Sequence, residues 1–254
     1  MRPRILLLLA LAAACARATA APVNVDLLLV AADDTTLQPV IRRLDSPRTE
    51  TRAAWTFWSG SLAGKSVVVT RTEGDPLNAV AATTLALRRY APRLIVVFGS
   101  SRAHDPALRT GDLVVSQAFC AFDGMVSPVT ELGGGSDSRT WRKLLHPMMT
   151  PGEIETPVDT FPADANATAI AATLSNPRGR VLLGILGSAP QINRETDRIA
   201  YLRALWKTST EDGESAHVAG CASLFNIPVL GLRVIDGTPA HAAEFALKFV
   251  EAWK

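Results

Sequence analysis

The segment from Leu94 to Ser116 limits the fold more than any other part of this 254-residue sequence. It begins with an uninterrupted apolar run, Leu94–Phe98, which is typical of a strand buried on both faces of a sheet. The run leads into Gly99 and two serines, and a second apolar run follows a Gly-Asp pair. Because glycine lacks a Cβ atom, backbone N–H groups in such a turn can approach a ligand closely. The segment therefore predicts a binding site at the end of a central strand.

Apolar runs of the same kind recur along the chain and alternate with helical patterns. The other predicted strands are Val25–Ala31, Trp55–Leu62, Lys65–Arg71, Leu113–Ala118, Val181–Leu186 and Val229–Val234, of which the second and third form a hairpin. The predicted helices are Leu37–Leu44, Ala79–Tyr90, Asn193–Trp206, Ser215–Phe225 and Ala240–Trp253. Continuous apolar strands need helices on both faces of their sheet. The pattern thus predicts a three-layer α/β/α sandwich with a mixed, mostly parallel central sheet.

The first twenty residues have the pattern of a secretion signal. Arg2 and Arg4 precede the apolar run Ile5–Ala14, and the small residues at 18–20 fit a signal-peptidase site. The run is too short to cross a bilayer as a helix. We therefore expect residues 1–20 to be a signal peptide and residues 21–254 to form one periplasmic or secreted domain. Lipid attachment at Cys15 is the alternative.

Charge and composition exclude several classes of partner. Residues 1–20 contribute three arginines and no acidic residue, so the formal charge of +2 becomes −1 without them. A chain so close to neutral does not indicate a nucleic-acid surface, and no later segment has the length of a membrane span. No spacing of metal ligands is present, and the histidines, His104, His146, His217 and His241, are expected in loops or at the surface. Cys120 and Cys221 either pair in an oxidising compartment or stay as buried thiols.

One long stretch, Phe122 to Pro162, lacks any periodic pattern. It contains three consecutive glycines and several prolines, and apolar strand material resumes after it. We therefore expect a long loop or lid within the domain rather than a linker between two domains.

Three blocks of sequence carry a resemblance to a known family. The first runs from Ser61–Lys65 (SLAGK) through Ala79–Thr83 to the end of Leu94–Ser116, the second is Gly187–Asn193 (GSAPQIN), and the third runs from Glu211–Glu214 (EDGE) to Leu232–Asp236 (LRVID). Together they resemble the nucleoside phosphorylase superfamily, and most closely its methylthioadenosine/S-adenosylhomocysteine nucleosidase branch. The resemblance covers nearly all of the chain after residue 20. It implies a nucleoside phosphorylase-like fold and cleavage of an N-glycosidic bond.

The resemblance also implies roles for two carboxyl groups. Glu214 resembles the family glutamate that accepts hydrogen bonds from the ribose hydroxyls, which a carboxylate can do in bidentate fashion. Asp236 resembles the acid that faces the purine, and a carboxyl group buried at the end of a strand keeps its proton to higher pH. The alternatives are an exposed acid at a helix start for Glu214 and a turn residue for Asp236. Arg233 lies three residues before Asp236, where the family usually has four, and is expected to bind substrate.

The remaining candidate binding residues depart from the family pattern. Nucleosidases carry a glutamate after the first strand to activate water, whereas this chain has Asp33 and Asp34 followed by two threonines. The usual glycine-rich turn is replaced by Gly99–Ala103 (GSSRA), in which Gly99, Ser100 and Ser101 stay candidates for substrate binding. Arg102 in that turn would suit phosphate, or it is an exposed loop arginine.

Two further departures affect the expected substrate contacts. Gln191, followed by Ile192, stands where nucleosidases tend to have an aromatic residue against the base, and Gly213 stands where many have a methionine under the sugar. Both changes remove apolar contact area from the expected site, so a standard methylthioadenosine fit is loosened.

The sequence leaves three functional hypotheses. The leading one is an exported purine nucleosidase with Glu214 on the ribose and Asp236 on the base. The second is a phosphorylase that uses Arg102, together with Arg71, for phosphate. The third is a non-catalytic nucleoside-binding or storage protein on the same fold. Each takes a purine nucleoside as its ligand, none implies a metal or organic cofactor, and the resemblance implies a homodimer.

Overall fold

The structure is a computed structural model that describes residues 21–150 and 153–254. The predicted signal peptide and Cys15 lie outside the described residues. The strands are β1 Val23–Ala31, β2 Asp45–Arg52, β3 Trp55–Leu62, β4 Lys65–Arg71, β5 Tyr90–Ala103, β6 Leu113–Ala121, β7 Met125–Val126, β8 Arg142–Lys143, β9 His146–Thr150, β10 Glu153–Val158, β11 Phe161–Pro162, β12 Val181–Ser188, β13 Thr208–Asp212 and β14 Val229–Ile235. The helices are α1 Asp34–Ile41, α2 Pro76–Arg89, α3 Ala165–Ala172, α4 Thr196–Trp206, α5 Ser215–Leu224 and α6 Pro239–Ala252.

Ten of the strands form one mixed sheet, in the order β11-β6-β12-β13-β5-β1-β4-β3-β2 with β14 between β5 and β6. The pairs β1–β4, β1–β5, β5–β14, β6–β12 and β12–β13 are parallel. The antiparallel pairs are β3–β4, which is the predicted hairpin, β2–β3, β5–β13, β6–β14 and β6–β11. The predicted mixed sheet is confirmed, with five parallel and five antiparallel pairs among the described residues.

Helices cover both faces of this sheet because successive side chains of the central strands point in opposite directions. In β1, Leu27 and Leu29 belong to a core cluster with α1, α3 and α6, whereas Leu28 and Val30 belong to a second cluster with α2 and α5. A smaller cluster around Trp206 joins α4 to the end of β6. The predicted three-layer α/β/α sandwich is confirmed.

Capping residues place the starts of the helices. The side chain of Asp75 accepts hydrogen bonds from the backbone N–H groups of Leu77 and Asn78 at 3.0 and 3.1 Å, and Pro76 occupies the first helical position of α2. Thr238 and Pro239 have the same arrangement at the start of α6. Aspartate or threonine followed by proline is a strong helix-start signal, because the proline has no N–H to leave unpaired.

Two strands, the helix α3 and part of the long loop differ from expectation. The sequence analysis did not predict β2 or β13, since their sequences, DSPRTETR and TSTED, carry no apolar run. The expected loop between Phe122 and Pro162 contains the antiparallel pairs β7–β8 and β9–β10. Met148 of β9 packs against the second core cluster, so the segment is joined to the body of the domain.

The burial of the histidines and cysteines bears on two predictions. His104 is buried in the loop after β5, whereas His241 is buried within α6, so the prediction that every histidine lies in a loop or at the surface is wrong for His241. Cys120 and Cys221 are buried free thiols. Burial raises the pKa of the Cys120 thiol to about 12.

Within the described ranges, no helix has the length and apolar character needed to cross a membrane.

Candidate functional site

A cleft of about 760 Å³ opens where β5 ends and where the loops after β1, β4, β12, β13 and β14 meet. Its lining residues are Ala32, Gly74, Ser100, Ser101, Arg102, Ala189, Pro190, Gln191, Ile192, Glu211, Asp212, Gly213, Glu214, Arg233, Asp236 and Gly237. The volume is within the range of small-molecule sites. Every residue predicted to bind the nucleoside lies in this lining except Gly99, whereas Asp33, Asp34 and Arg71 do not line the cleft.

The glycine- and serine-rich segment lies in the cleft as a strand, so the prediction of a turn at Gly99–Ala103 is wrong. β5 continues through it to Ala103 because the segment gains two partners: Gly99–Ser101 pair with β14, and Arg102 pairs with Glu211 of β13. Pairing with distant strands overrides the turn preference of small residues. Ser100, Ser101 and Arg102 of this strand line the cleft, and of these Ser101 is buried whereas the other two are exposed.

Arg233 is the centre of a buried ion cluster beneath the cleft. It is 1% exposed, its Nη2 donates to Oε1 of Glu214 at 2.9 Å, and its Nε lies 3.1 Å from Oδ2 of Asp212. Nε also donates to Oγ of Ser215 at 2.8 Å. Burial lowers the pKa of Arg233, but the charges of Asp212 and Glu214 outweigh burial and raise it above the ordinary value. The guanidinium is thus a fixed positive charge that holds two carboxylates in place.

Glu214 is held from both sides and is not an exposed acid at a helix start. Only 1% of the residue is exposed, and its second oxygen, Oε2, accepts a hydrogen bond from the hydroxyl of Thr72. The task of capping α5 falls to Asp212, whose Oδ1 accepts the backbone N–H groups of Glu214 and Ser215, both at 2.8 Å. Because Asp212 caps the helix, the carboxylate of Glu214 is left to face the cleft.

Gly99 supports the cluster although it does not line the cleft. A Cβ atom at position 99 would overlap Nη1 of Arg233, which lies against the backbone of β5. Glycine is therefore required here by the close approach of the guanidinium, and not by the geometry of a turn.

Gly213 has a comparable packing reason. A Cβ atom at this position would overlap the backbone carbonyl oxygen of Gly74. The methionine that the family resemblance implies under the sugar has no space on this backbone, because the backbone of Gly74 lies where its side chain would begin.

Asp236 lines the cleft but is not buried. It follows the last residue of β14 with a φ of 43°, and its backbone N–H donates to the carbonyl oxygen of Ser101 at 2.9 Å. The side chain is exposed. The expectation of a buried carboxyl group at the end of this strand is therefore wrong, because the residue turns outward in the Asp-Gly turn instead of ending inside the strand.

Glu211 is a further carboxylate of the cleft to which the sequence analysis gave no role. Its Oε2 accepts from Nε2 of His104 at 3.0 Å and from the side-chain amide of Asn193, and Oε1 accepts the backbone N–H of Asn193 at 2.9 Å. Burial raises the pKa of Glu211, but the hydrogen bonds from His104 and Asn193 outweigh it and hold the pKa below the ordinary value. The residue is thus a buried anion, and Nη1 of Arg102 lies 4.0 Å from Oε1.

The candidates for activating water lie away from the cleft. Asp33 caps α1, accepting the backbone N–H of Thr36 at 2.8 Å. Asp34 is paired with Arg71 at 2.7 Å, and Arg71 also contacts Glu73 at 2.7 Å. Ala32 is the residue of this loop that reaches the lining.

Sequence reasoning missed the residues that hold the ion cluster and the Glu211 carboxylate. Asp212 and Glu211 stand in the EDGE block, in which three of four residues before a helix are acidic. This cluster was the sequence signal that could have indicated both residues. Thr72 and His104 had no such signal, because their partners are 142 and 107 residues away in the chain. Among residues 21–150 and 153–254, no three His, Cys, Asp or Glu side chains are grouped to hold a metal ion.

Comparisons with known proteins agree with this geometry. The family model described as the phosphorylase superfamily matches residues 26–253. The chain is 26% identical over 183 residues to a 5′-methylthioadenosine/S-adenosylhomocysteine nucleosidase of Tolumonas auensis, covering 71% of this chain and 72% of that protein. The Neisseria meningitidis nucleosidase of the same name, in complex with methylthio-immucillin-A, has a TM-score of 0.73 at 16% identity, over 89% of this chain and 98% of that one. A futalosine hydrolase mutant of Helicobacter pylori has a TM-score of 0.71 at 18% identity, over 89% and 97%.

Proposed function

The chain belongs to the phosphorylase superfamily, and from this membership we propose that it hydrolyses the N-glycosidic bond of purine nucleosides. The observation that carries the proposal is the buried Glu214 carboxylate, fixed by Arg233 and Thr72 in the floor of the cleft. The relatives and structural neighbours named above are nucleosidases and a hydrolase, which supports the same reaction class.

Glu214 would orient the sugar. Two vicinal hydroxyls of ribose can donate to one carboxylate, and a carboxylate whose position is already fixed loses little entropy on binding them. Arg233 and Thr72 occupy one lone-pair direction on each oxygen. Each oxygen of an ionised carboxylate accepts about two hydrogen bonds, so one direction per oxygen is left for substrate.

The charge of the cleft favours hydrolysis over phosphorolysis. Four carboxylates line it, Glu211, Asp212, Glu214 and Asp236, against the two guanidinium groups Arg102 and Arg233, which lie beside three of these carboxylates. An excess of negative charge repels phosphate but stabilises the positive charge that develops on the sugar in an oxocarbenium-like transition state. Arg71, the second arginine of the phosphorylase hypothesis, is paired with Asp34 and Glu73.

Asp236 would stabilise the departing purine. It lines the cleft and is exposed in the empty site, so a bound purine would cover it and remove it from water. Removal from water favours the protonated carboxyl group, which can donate to a ring nitrogen.

Replacement of Asp236 should therefore matter most for poor leaving groups. We expect Asp236→Asn to lower kcat for purine ribosides by about 10²-fold or more, the usual size of a general-acid contribution. A p-nitrophenyl riboside, whose leaving group needs no proton, should lose much less. Equal losses for both substrates would contradict the role of general acid.

Release of free base is the direct test of the proposed reaction. Adenosine, inosine, guanosine and 5′-methylthioadenosine are incubated with the protein, each with and without phosphate, and the free base is measured. We expect release that does not depend on phosphate. Release that requires phosphate would replace the proposal with a phosphorylase, and no release from any substrate would contradict it.

One observation favours a second candidate, a nucleoside-binding protein without catalysis. Ala32 lines the cleft in the loop where nucleosidases carry the glutamate that activates water, and Asp33 and Asp34 are engaged elsewhere. A rise in Tm with nucleoside, without any base release, is the result that this candidate predicts.

We also propose that the protein acts after export and as a homodimer. The pattern of residues 1–20 supports cleavage before Ala21, and the family resemblance supports the dimer. The N-terminal sequence of the secreted protein and its mass in solution are the measurements that check the two statements.

A further inference from the structure

Arg102 and Glu211 place a hydrogen-bond donor and an acceptor side by side in the cleft. They are cross-strand partners on β5 and β13, so their side chains lie on the same face of the sheet. Nη1 of Arg102 and Oε1 of Glu211 are 4.0 Å apart, which is too far for a direct hydrogen bond. One edge of a flat ring can therefore reach both groups at once.

Glu211 has capacity left for a ligand. Its Oε2 takes two protein donors, from His104 and Asn193, but its Oε1 takes only the backbone N–H of Asn193 among the hydrogen bonds of the described chain. The ring of His104 is itself fixed by the hydroxyl of Thr208, 2.7 Å from Nδ1. The carboxylate is thus ionised, rigidly held and able to accept a further hydrogen bond.

We propose that the cleft selects a 6-oxopurine, the type of base to which guanine belongs, over adenine. This inference rests on the proposed function, in which the ribose lies on Glu214 and the base occupies the rest of the cleft, which Gln191 and Arg102 line. Guanine carries on one edge an acceptor, O6, beside a donor, N1–H. Arginine is suited to O6, and the remaining direction on Oε1 of Glu211 is suited to N1–H. Adenine offers an amino donor beside a ring-nitrogen acceptor, which is the reverse order and leaves Oε1 of Glu211 without a donor.

Binding of the bases alone tests the preference without requiring any cleavage. Isothermal titration calorimetry with 9-methylguanine and 9-methyladenine, which have no sugar to lose, measures the two affinities on the wild-type protein. We expect 9-methylguanine to bind at least about tenfold more tightly, the lower part of the range for one bidentate contact. Equal affinities, tighter binding of 9-methyladenine, or no binding of either base would overturn the inference.

Substitutions at the two residues test whether they cause the preference. Arg102→Met and Glu211→Gln should each reduce the ratio of the two affinities toward one, chiefly by weakening 9-methylguanine. Arg178→Met, which removes an exposed arginine paired with Glu244, is the matched control and should leave the ratio unchanged. Because Glu211 also holds Asn193, loss of both affinities in Glu211→Gln would indicate a disturbed loop. In that case the Arg102→Met variant is the decisive test, because Arg102 is exposed. An unchanged ratio of the two base affinities in this variant would overturn the inference.

Failure of this inference is separate from failure of the proposed function. A preference for 9-methylguanine without base release from any nucleoside would contradict the hydrolase and leave the inference standing. Base release together with a preference for 9-methyladenine would support the hydrolase and overturn the inference.

Discussion

Replacing Arg233 by methionine is expected to lower the free energy of unfolding by about 3–5 kcal/mol, because it leaves buried charges unpaired. Asp212 and Glu214 are both nearly inaccessible to solvent and both face this guanidinium. For a domain of this size the loss corresponds to a fall in Tm of about 6–20 °C. Methionine fills similar space, so the effect is electrostatic. Thermal unfolding at neutral pH measures it.

Two comparisons separate this explanation from a simple packing defect. Arg233→Lys keeps the charge but loses the planar fork and should fall between wild type and Arg233→Met. Arg178→Met, at an exposed ion pair, should change Tm little. A Tm of Arg233→Lys as low as that of Arg233→Met would contradict the electrostatic account.

Local patterns in the sequence were sufficient to predict the three layers of the fold. The apolar runs of β1, β5, β6 and β14 are strands buried on both faces, and such runs have few alternatives in a chain of this length. The strands that were missed, β2 and β13, owe their conformation to neighbours. β13 is a five-residue strand of polar and charged residues that is held between β12 and β5. No local period in TSTED predicts that environment.

Only part of the site could be predicted, because the sequence indicates its residues but not their surroundings. Glu214, Arg233 and Asp236 were located by resemblance, and all three lie in the cleft. The burial and the contacts of these residues could not be predicted, because segments that are distant in the sequence form their surroundings. Glu214 is buried by Thr72 from the loop after β4, whereas Asp236 turns outward although it directly follows a fully buried strand. Both residues stand just after a strand, yet Glu214 is buried and Asp236 is exposed.

Glu214→Gln is expected to reduce kcat/KM for ribonucleosides by at least about 100-fold, the cost of losing the group that orients a substrate. Glutamine has the same shape but has lost one of the two oxygens that accept hydrogen bonds, and with it the negative charge beside the reacting sugar. The fold should survive, because Arg233 keeps Asp212 as a partner and Asp212 still caps α5. Base release measures the kinetic loss, and an unchanged circular dichroism spectrum verifies the fold.

Substrates that lack a hydroxyl group show whether Glu214 acts through the ribose. If the carboxylate binds the sugar hydroxyls, wild type should strongly prefer guanosine to 2′-deoxyguanosine, and Glu214→Gln should have lost most of that preference, as in a double-mutant cycle. Glu244→Gln alters a carboxylate on α6 that is paired with the exposed Arg178, and it should keep both the activity and the preference. An equal loss for both substrates in Glu214→Gln would mean that the residue stabilises the cluster or the transition-state charge without contacting the hydroxyls. Wild-type turnover in this variant would remove Glu214 from the mechanism altogether.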